Sequence, residues 1–174
     1  MILEYYCTRA DVFKPTRANP SDAGLDIHFN PDDAELSGAW LEPGESKLFP
    51  TGLKFGIPHG YMLEVKNRSG NASKRSLLVG ACVIDSGYDG EVFVNLHNVG
   101  GGSQFIEKGM KIAQIVMVPV VHFRALETTK DNLYDWHPIT ISNRGSGALG
   151  STDGNHRLTA VTTDARAWEL GDPA

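Results

Sequence analysis

The sequence of 174 residues is poor in cysteine, in long apolar runs and in clustered positive charge. Its two cysteines, Cys7 and Cys82, could pair. Two thiols without a secretory signal nevertheless read as reduced, in a cytoplasmic protein. No apolar run approaches the roughly 18–20 residues that a membrane span requires. The opening Met1-Ile2-Leu3-Glu4-Tyr5-Tyr6 lacks the charged-then-apolar order of a signal peptide. Lys and Arg number 16 against 21 Asp and Glu, for a net charge of −5. No basic face can be drawn from them, which argues against a nucleic-acid backbone as partner. His and Cys at zinc-ligand spacing are missing too.

Helical periodicity is equally scarce, and a period of two replaces it. Leu25, Ile27 and Phe29 alternate with Asp26 and His28; Leu53, Phe55 and Ile57 with Lys54 and Gly56. Tyr61, Leu63 and Val65 alternate with Met62 and Glu64, and Val92, Val94 and Leu96 with Phe93 and Asn95. Each run has strand length and is bounded by turn residues such as Pro58-His59-Gly60 and Gly100-Gly101-Gly102. Ile112 to Val121 reads as a further strand, with Pro119 at an edge or bulge. Short helical turns are expected only at Ser69–Ser76 and Asp32–Leu36, and Asp164–Leu170 is too short to stand alone. The expected fold is all-β, a compact barrel or distorted jelly-roll of short strands, which the 19 glycines and nine prolines suit. Periodicity fades after about Thr128. A body over 1–127 and a flexible C-terminal arm over 128–174 are therefore expected.

The arm carries Arg144-Gly145-Ser146-Gly147-Ala148-Leu149-Gly150-Ser151-Thr152. Glycines let backbone N–H groups approach an anion closely, and hydroxyls and an arginine add donors and charge, so the run suits a phosphate. Its spacing also satisfies the dinucleotide fingerprint and the P-loop, but both need a βαβ unit, and Ser151 stands where a P-loop needs lysine. By composition alone a flexible linker is the other reading.

Four more segments join polar groups to glycine at strand ends: Ser21 to Ile27, Asn67 to Gly70, Val79 to Val92, and Gly109 to Val116. Singly, Asp26, Arg68, Asp85 and Gln114 each have an ordinary surface or turn reading. With the glycine run they form five segments whose order resembles the five motifs of the trimeric dUTPases. Val83-Ile84-Asp85-x-x-Tyr88-x-Gly90 and Gly109-x-Lys111-Ile112-Ala113-Gln114-x-Val116 are its most specific parts.

The resemblance implies a β-clip jelly-roll that hydrolyses dUTP to dUMP and pyrophosphate, supplying dUMP for thymidylate synthesis and keeping uracil out of DNA. It implies that Asp85 activates the attacking water. Tyr88 then packs beneath the deoxyribose, and the hairpin backbone at Cys82, Val83 and Ile84 reads uracil. Arg68, Ser69, Gly70 and Gln114 bind phosphate, and Asp26 meets the water shell of Mg²⁺. Arg144 acts as an arginine finger, with Leu149 over the base and Gly150, Ser151 and Thr152 on the terminal phosphate. A homotrimer is implied, each site built from three chains. Departures from the family pattern are Leu149 for an aromatic, Cys82 for a glycine, Asn67 for a proline, and the extension over 154–174. Cys82 is strained if its backbone needs positive φ and harmless if not. Two rivals are a non-catalytic nucleotide-binding protein on the same fold and a dCTP deaminase. The deaminase pattern wants a glutamate at Asn95 and a tryptophan at Tyr88.

Overall fold

The computed structural model describes residues 1–129 and Leu133. Arg144, Leu149, Gly150, Ser151 and Thr152 lie outside the described residues, as does everything after them. The chain divides into two compact units, Met1–Arg124 and Ala125–Ala174. Every strand, and the one helix among the described residues, belongs to the first.

All strand pairings in this unit are antiparallel. Strand β1 (Glu4–Cys7) pairs with β5 (Leu53–Gly56), and β3 (Gly38–Leu41) with β10 (Gln104–Glu107). A four-stranded sheet runs β2 (Leu25–His28), β11 (Lys111–Pro119), β6 (Tyr61–Lys66), β8 (Val83–Ile84). A three-stranded sheet runs β4 (Ser46–Pro50), β9 (Phe93–Asn98), β7 (Leu77–Val79). The sheets close on an apolar core of Ile27, Phe29, Leu41, Phe49, Leu53, Leu63, Val94, Leu96, Ile106, Ile112 and their neighbours. Phe29 meets Phe49 edge-on with ring centres 5.0 Å apart, a favoured aromatic geometry.

The period of two does what it should on most strands. On β9, Val94 and Leu96 are buried while Phe93 is exposed. On β6, Leu63 and Val65 face inward. On β2 the alternation breaks, for Ile27 and His28 are both buried. His28 is covered by Phe13, whose ring centre lies 6.0 Å from its own. On the facing strand β11 the register slips between Lys111 and Ala113: Lys111 faces His28 and Ala113 faces Ile27. Ile112 is the extra residue of a β-bulge, which turns the local strand. Pro119 sits at the other end of β11, opposite Tyr61 and past the last residue paired with β2. There it needs no N–H toward that side, so an edge position holds it.

The helix α1 spans Ser69–Arg75 and ends at Ser76, which is left-handed (φ 53°) and whose N–H donates to the Asn71 carbonyl. None of its residues is buried. It is therefore held by side-chain bonds rather than by apolar packing. Arg75 donates to the Phe105 carbonyl at 2.6 Å and to Gln104 Oε1 at 3.0 Å. The turn expected at Asp32–Leu36 is no helix. Asp33 Oδ1 takes the Glu35 N–H at 2.9 Å, a local side-chain bond that competes with helix formation. Cys82 is not among the non-glycine residues of positive φ, which are Asp11 and Ser76 in the described residues. It is the harmless small residue.

Gly109, in the turn before β11, has φ +79°, and a Cβ there would lie 2.7 Å from a carbon of the Phe13 ring. Strain and overlap act together at this position. Gly109→Ala should cost about 2–4 kcal/mol of unfolding free energy, measured as a fall in the urea midpoint at unchanged slope.

Candidate active site

Residues of the four described motif segments fall into two clefts. The first, of about 360 Å³, is lined by Ala18, Asp22, Ala23, Gly24, Asp26, Arg68, Ser69 and Gln114. Sheet register builds it. Gln114 lies between Asp26 on β2 and Lys66 on β6, and the chain leaving β6 passes at once into Arg68 and α1. Gln114 Nε2 donates to the Asn67 carbonyl at 2.9 Å. Gly24 has no side chain because Gln114 occupies that space, and a Cβ would collide with Oε1.

Charge concentrates here. The Asp26 carboxylate accepts Lys111 Nζ at 2.9 Å on one oxygen and Arg68 Nη1 at 3.3 Å on the other. Arg68 precedes the helix with extended backbone and makes no side-chain cap. The helix is only two turns long, so its dipole adds little, and the pull on an anion comes chiefly from Arg68 and Lys111. Lys111 was visible in the sequence only as part of a strand. Its partnership with Asp26 is set by the bulge, which leaves no mark in a single sequence.

The second cleft, of about 250 Å³, is lined by Val83, Ile84, Asp85, Tyr88, Glu91, Val92 and Phe93. Strand β8 reaches it through pairing with β6, and the Cys82 carbonyl accepts the Val65 N–H at 2.7 Å. After Ile84 the chain turns tightly: Tyr88 N–H donates to the Asp85 carbonyl at 3.2 Å, and Gly87 takes φ +92°. Tyr88 folds back over Gly90, with its hydroxyl donating to the Glu91 carbonyl at 2.9 Å. The Glu91 carboxylate is itself fixed by the Gly52 N–H at 2.7 Å and by Arg9 at 3.0 Å. The hairpin is thus preorganised. The Asp85 carboxylate is exposed and makes no hydrogen bond or ion pair among the described residues, so it is free to bind a ligand or a water.

The two groups do not meet within one chain's clefts: Asp85 and Tyr88 line one, Asp26, Arg68, Ser69 and Gln114 the other. Asn95, the position at which a deaminase would need glutamate, lies on β9 with Oδ1 2.7 Å from His97 Nε2. An amide there cannot shuttle a proton.

His28, which the alternation had placed outward, is buried behind the first cleft, its ring 6.0 Å from that of Phe13. Its Nδ1 has no hydrogen-bond partner among the described residues. Burial, then Lys111, hold its pKa below the ordinary 6.5; Arg68 adds to this and Asp26 opposes it. The unfolded chain therefore binds the proton more tightly than the folded one, so stability is complete above pH 6.5 and falls as the pH drops below it. Between pH 7 and 5 the thermal midpoint should decline, and His28→Leu should flatten that decline.

Comparison with known proteins identifies the family. The dUTPase family model matches residues 10–152. A deoxyuridine 5'-triphosphate nucleotidohydrolase of Roseobacter denitrificans is 38% identical over 143 residues, 81% of this chain and 87% of that protein. That of Chlamydia trachomatis is 34% identical over 140 residues, 79% of this chain and 89% of its own. Among solved structures, a variant dUTPase of Staphylococcus bacteriophage 80alpha with dUpNHpp superposes with a TM-score of 0.72 at 26% identity, covering 87% of this chain and 98% of that one. A dUTPase of phage phi11 of S. aureus, described with a structural Mg(II) ion, gives 0.67 at 25% identity, covering 75% and 98%. With its motif residues gathered at strand ends of an antiparallel β-fold and a match over most of its length, the chain belongs to the dUTPase family.

Proposed function

We propose that the protein hydrolyses dUTP to dUMP and pyrophosphate, and the observation that carries the reading is the Asp85 hairpin. Its carboxylate is exposed and unengaged among the described residues, beside a small cleft floored by Val83, Ile84 and a locked Tyr88. Uracil fits against the backbone at Cys82, Val83 and Ile84. The Tyr88 ring supports the deoxyribose and leaves a 2′-hydroxyl no room. Asp85 orients a water and accepts its proton as the water oxygen bonds to the α-phosphorus, while the bond from that phosphorus to the bridging oxygen breaks and pyrophosphate leaves. An aspartate carboxylate within reach of a water can serve as the general base of this step.

The phosphates occupy the cleft of Arg68, Ser69, Gly70 and Gln114. Asp26 and the nearby Asp22 provide carboxylates, and no group of three metal-binding side chains is found among the described residues. That donor set fits Mg²⁺, which keeps several waters and takes triphosphate oxygens. Asp26 would hold its water shell. When bound, the ion neutralises charge on the phosphate chain.

The two clefts share no lining residue, which suits a site that takes its hairpin from one subunit and its phosphate cleft from another, as the family resemblance implies. A homotrimer supplies both. The outward face of β4, β9 and β7 supports this: Leu48, Phe93 and Leu78 are exposed there, and register puts them on one side with Asn95 and His97. The body, 1–127, bears both clefts, and the arm, 128–174, delivers Arg144 with Leu149, Gly150, Ser151 and Thr152. Cys7 and Cys82 are both free thiols, which suits a cytoplasmic setting. No helix among the described residues is long and apolar enough to cross a membrane.

Asp85→Asn should lower kcat by about 10²–10⁴-fold while leaving dUpNHpp affinity within a few fold. Hydrolysis in ¹⁸O-water should label dUMP and not pyrophosphate; label in pyrophosphate would refute attack at the α-phosphorus. Co-expressed Asp85→Asn and Arg68→Gln subunits, each inactive alone, should recover about one active site in four by random assortment in a trimer. Recovery of none would place the whole site on one chain. Removing residues after Ser142 should cut kcat by about 10³-fold or more with little change in melting temperature.

A further inference from the structure

Asn71 belongs to none of the ligand-facing groups above, yet it joins them. It is half-buried on α1, and its Nδ2 donates to the Lys111 carbonyl at 3.0 Å and to the Ile112 carbonyl at 3.3 Å. Those carbonyls stand at the slip in register between β11 and β2, where Ile112 is the extra residue. A bulge disrupts the local ladder and leaves its extra residue unpaired. A buried carbonyl without a donor is costly, and Ile112 is almost wholly buried. One amide thus answers for the bulge and ties it to the helix that begins with Ser69.

The phosphate cleft is braced at three points. The Lys111–Asp26–Arg68 chain of charge is one, and the bond from Gln114 to the Asn67 carbonyl is another. Both use groups that face an incoming anion, so both are drawn into competition when phosphate arrives. The Asn71 bonds use none. They persist while the others exchange partners, and they hold Arg68 and Ser69 on one side at a set distance from Lys111 and Gln114 on the other.

We infer that Asn71 is a positioning residue that fixes the span of the polyphosphate cradle by fastening α1 to the β11 bulge. The inference rests on the proposal that this cleft takes the phosphates of dUTP. Its consequence is graded. A single phosphate can follow one displaced donor, whereas a chain of phosphates cannot follow several donors that move apart. Misplacement of about 1 Å is enough to cost on the order of 10²-fold in rate.

The test compares wild type with Asn71→Ala, which removes the donor, and Asn71→Leu, which keeps bulk on the helix without one. Affinities for dUMP, dUDP and dUpNHpp are measured with Mg²⁺, beside melting temperature and solution mass. The expected result is a loss that grows with the number of phosphates, within about twofold for dUMP and about tenfold or more for dUpNHpp, with kcat/KM for dUTP falling in step. Equal losses for all three nucleotides, or none, in whichever variant folds would overturn the inference and leave Asn71 a structural contact. Failure of both variants to fold would overturn it as well, since a fold-wide role would then explain the bonds. If wild type itself bound dUMP and dUpNHpp equally, the phosphate reading of the cleft would fall and the inference with it.

Discussion

Strand β11 is hydrogen-bonded on both flanks, to β2 and to β6, and the register of those two ladders decides where every polar group of the first cleft stands. Opposite Gln114 lie Asp26 on one side and Lys66 on the other. Asn67 and Arg68 follow Lys66 directly. A slip of one residue on either flank would turn Gln114 toward the core and Ala113 or Ile115 toward the cleft, because side chains alternate along a strand. The burial of Ile112, Ala113 and Ile115 forbids such a slip. The hydrophobic core thus positions the polar site, and the bulge at Ile112 is the one place where the ladder yields, bringing Lys111 to Asp26.

The second cleft is positioned differently. Strand β8 has two residues, pairs only with β6, and passes immediately into the Asp85 turn. So short a ladder cannot hold a hairpin by itself. The Glu91 carboxylate completes the hold, with Gly52, Thr8 and Arg9 on its oxygens and its own carbonyl accepting the Tyr88 hydroxyl. Tyr88 is therefore fixed from the far end of its ring. An aromatic held in this way meets a sugar with little further loss of side-chain freedom, and preorganisation of this kind favours binding.

Much of this was legible in the residues. The alternating runs foretold β2, β5, β6 and β9, because burial on one face writes a period of two; an almost wholly apolar run foretold β11, and the polar turn after Asn67 foretold α1. The strands β1, β3, β4, β7 and β10 were not marked out. Gly38–Leu41 and Leu77–Val79 are too short to show a period, and Ser46–Pro50 holds the exposed Leu48. His28 alternates with the apolar residues of its run yet is buried, because Phe13 from the N-terminal segment covers it, a contact that no local pattern records. The partners of Lys111 and Asn71 were unread because they are fixed by register across strands, which a single sequence does not encode locally. Motif segments carried Asp26, Arg68, Asp85, Tyr88 and Gln114. The division of those residues between two clefts was implied only by the family resemblance, with its sites built from three chains.

That division bears on how an acidic protein attracts an acidic ligand. The chain carries a net charge of −5, so its overall field opposes a nucleoside triphosphate. At physiological ionic strength, however, exposed charges beyond roughly 8 Å are largely screened. Attraction is then decided by what lies near the phosphates. In the first cleft Arg68 and Lys111 share a single partner, Asp26, so two cations stand against one carboxylate there, with Asp22 engaged by Asn19 at 2.9 Å. With Asp22 counted the charges balance without a ligand, and a change of partner for Arg68 turns its guanidinium toward an anion without altering that balance. A cleft of this kind avoids the cost of an isolated buried charge while keeping a guanidinium within reach of phosphate. On the proposed reading its carboxylate also limits how tightly product is held, since Arg68 has Asp26 as a partner to return to when pyrophosphate leaves.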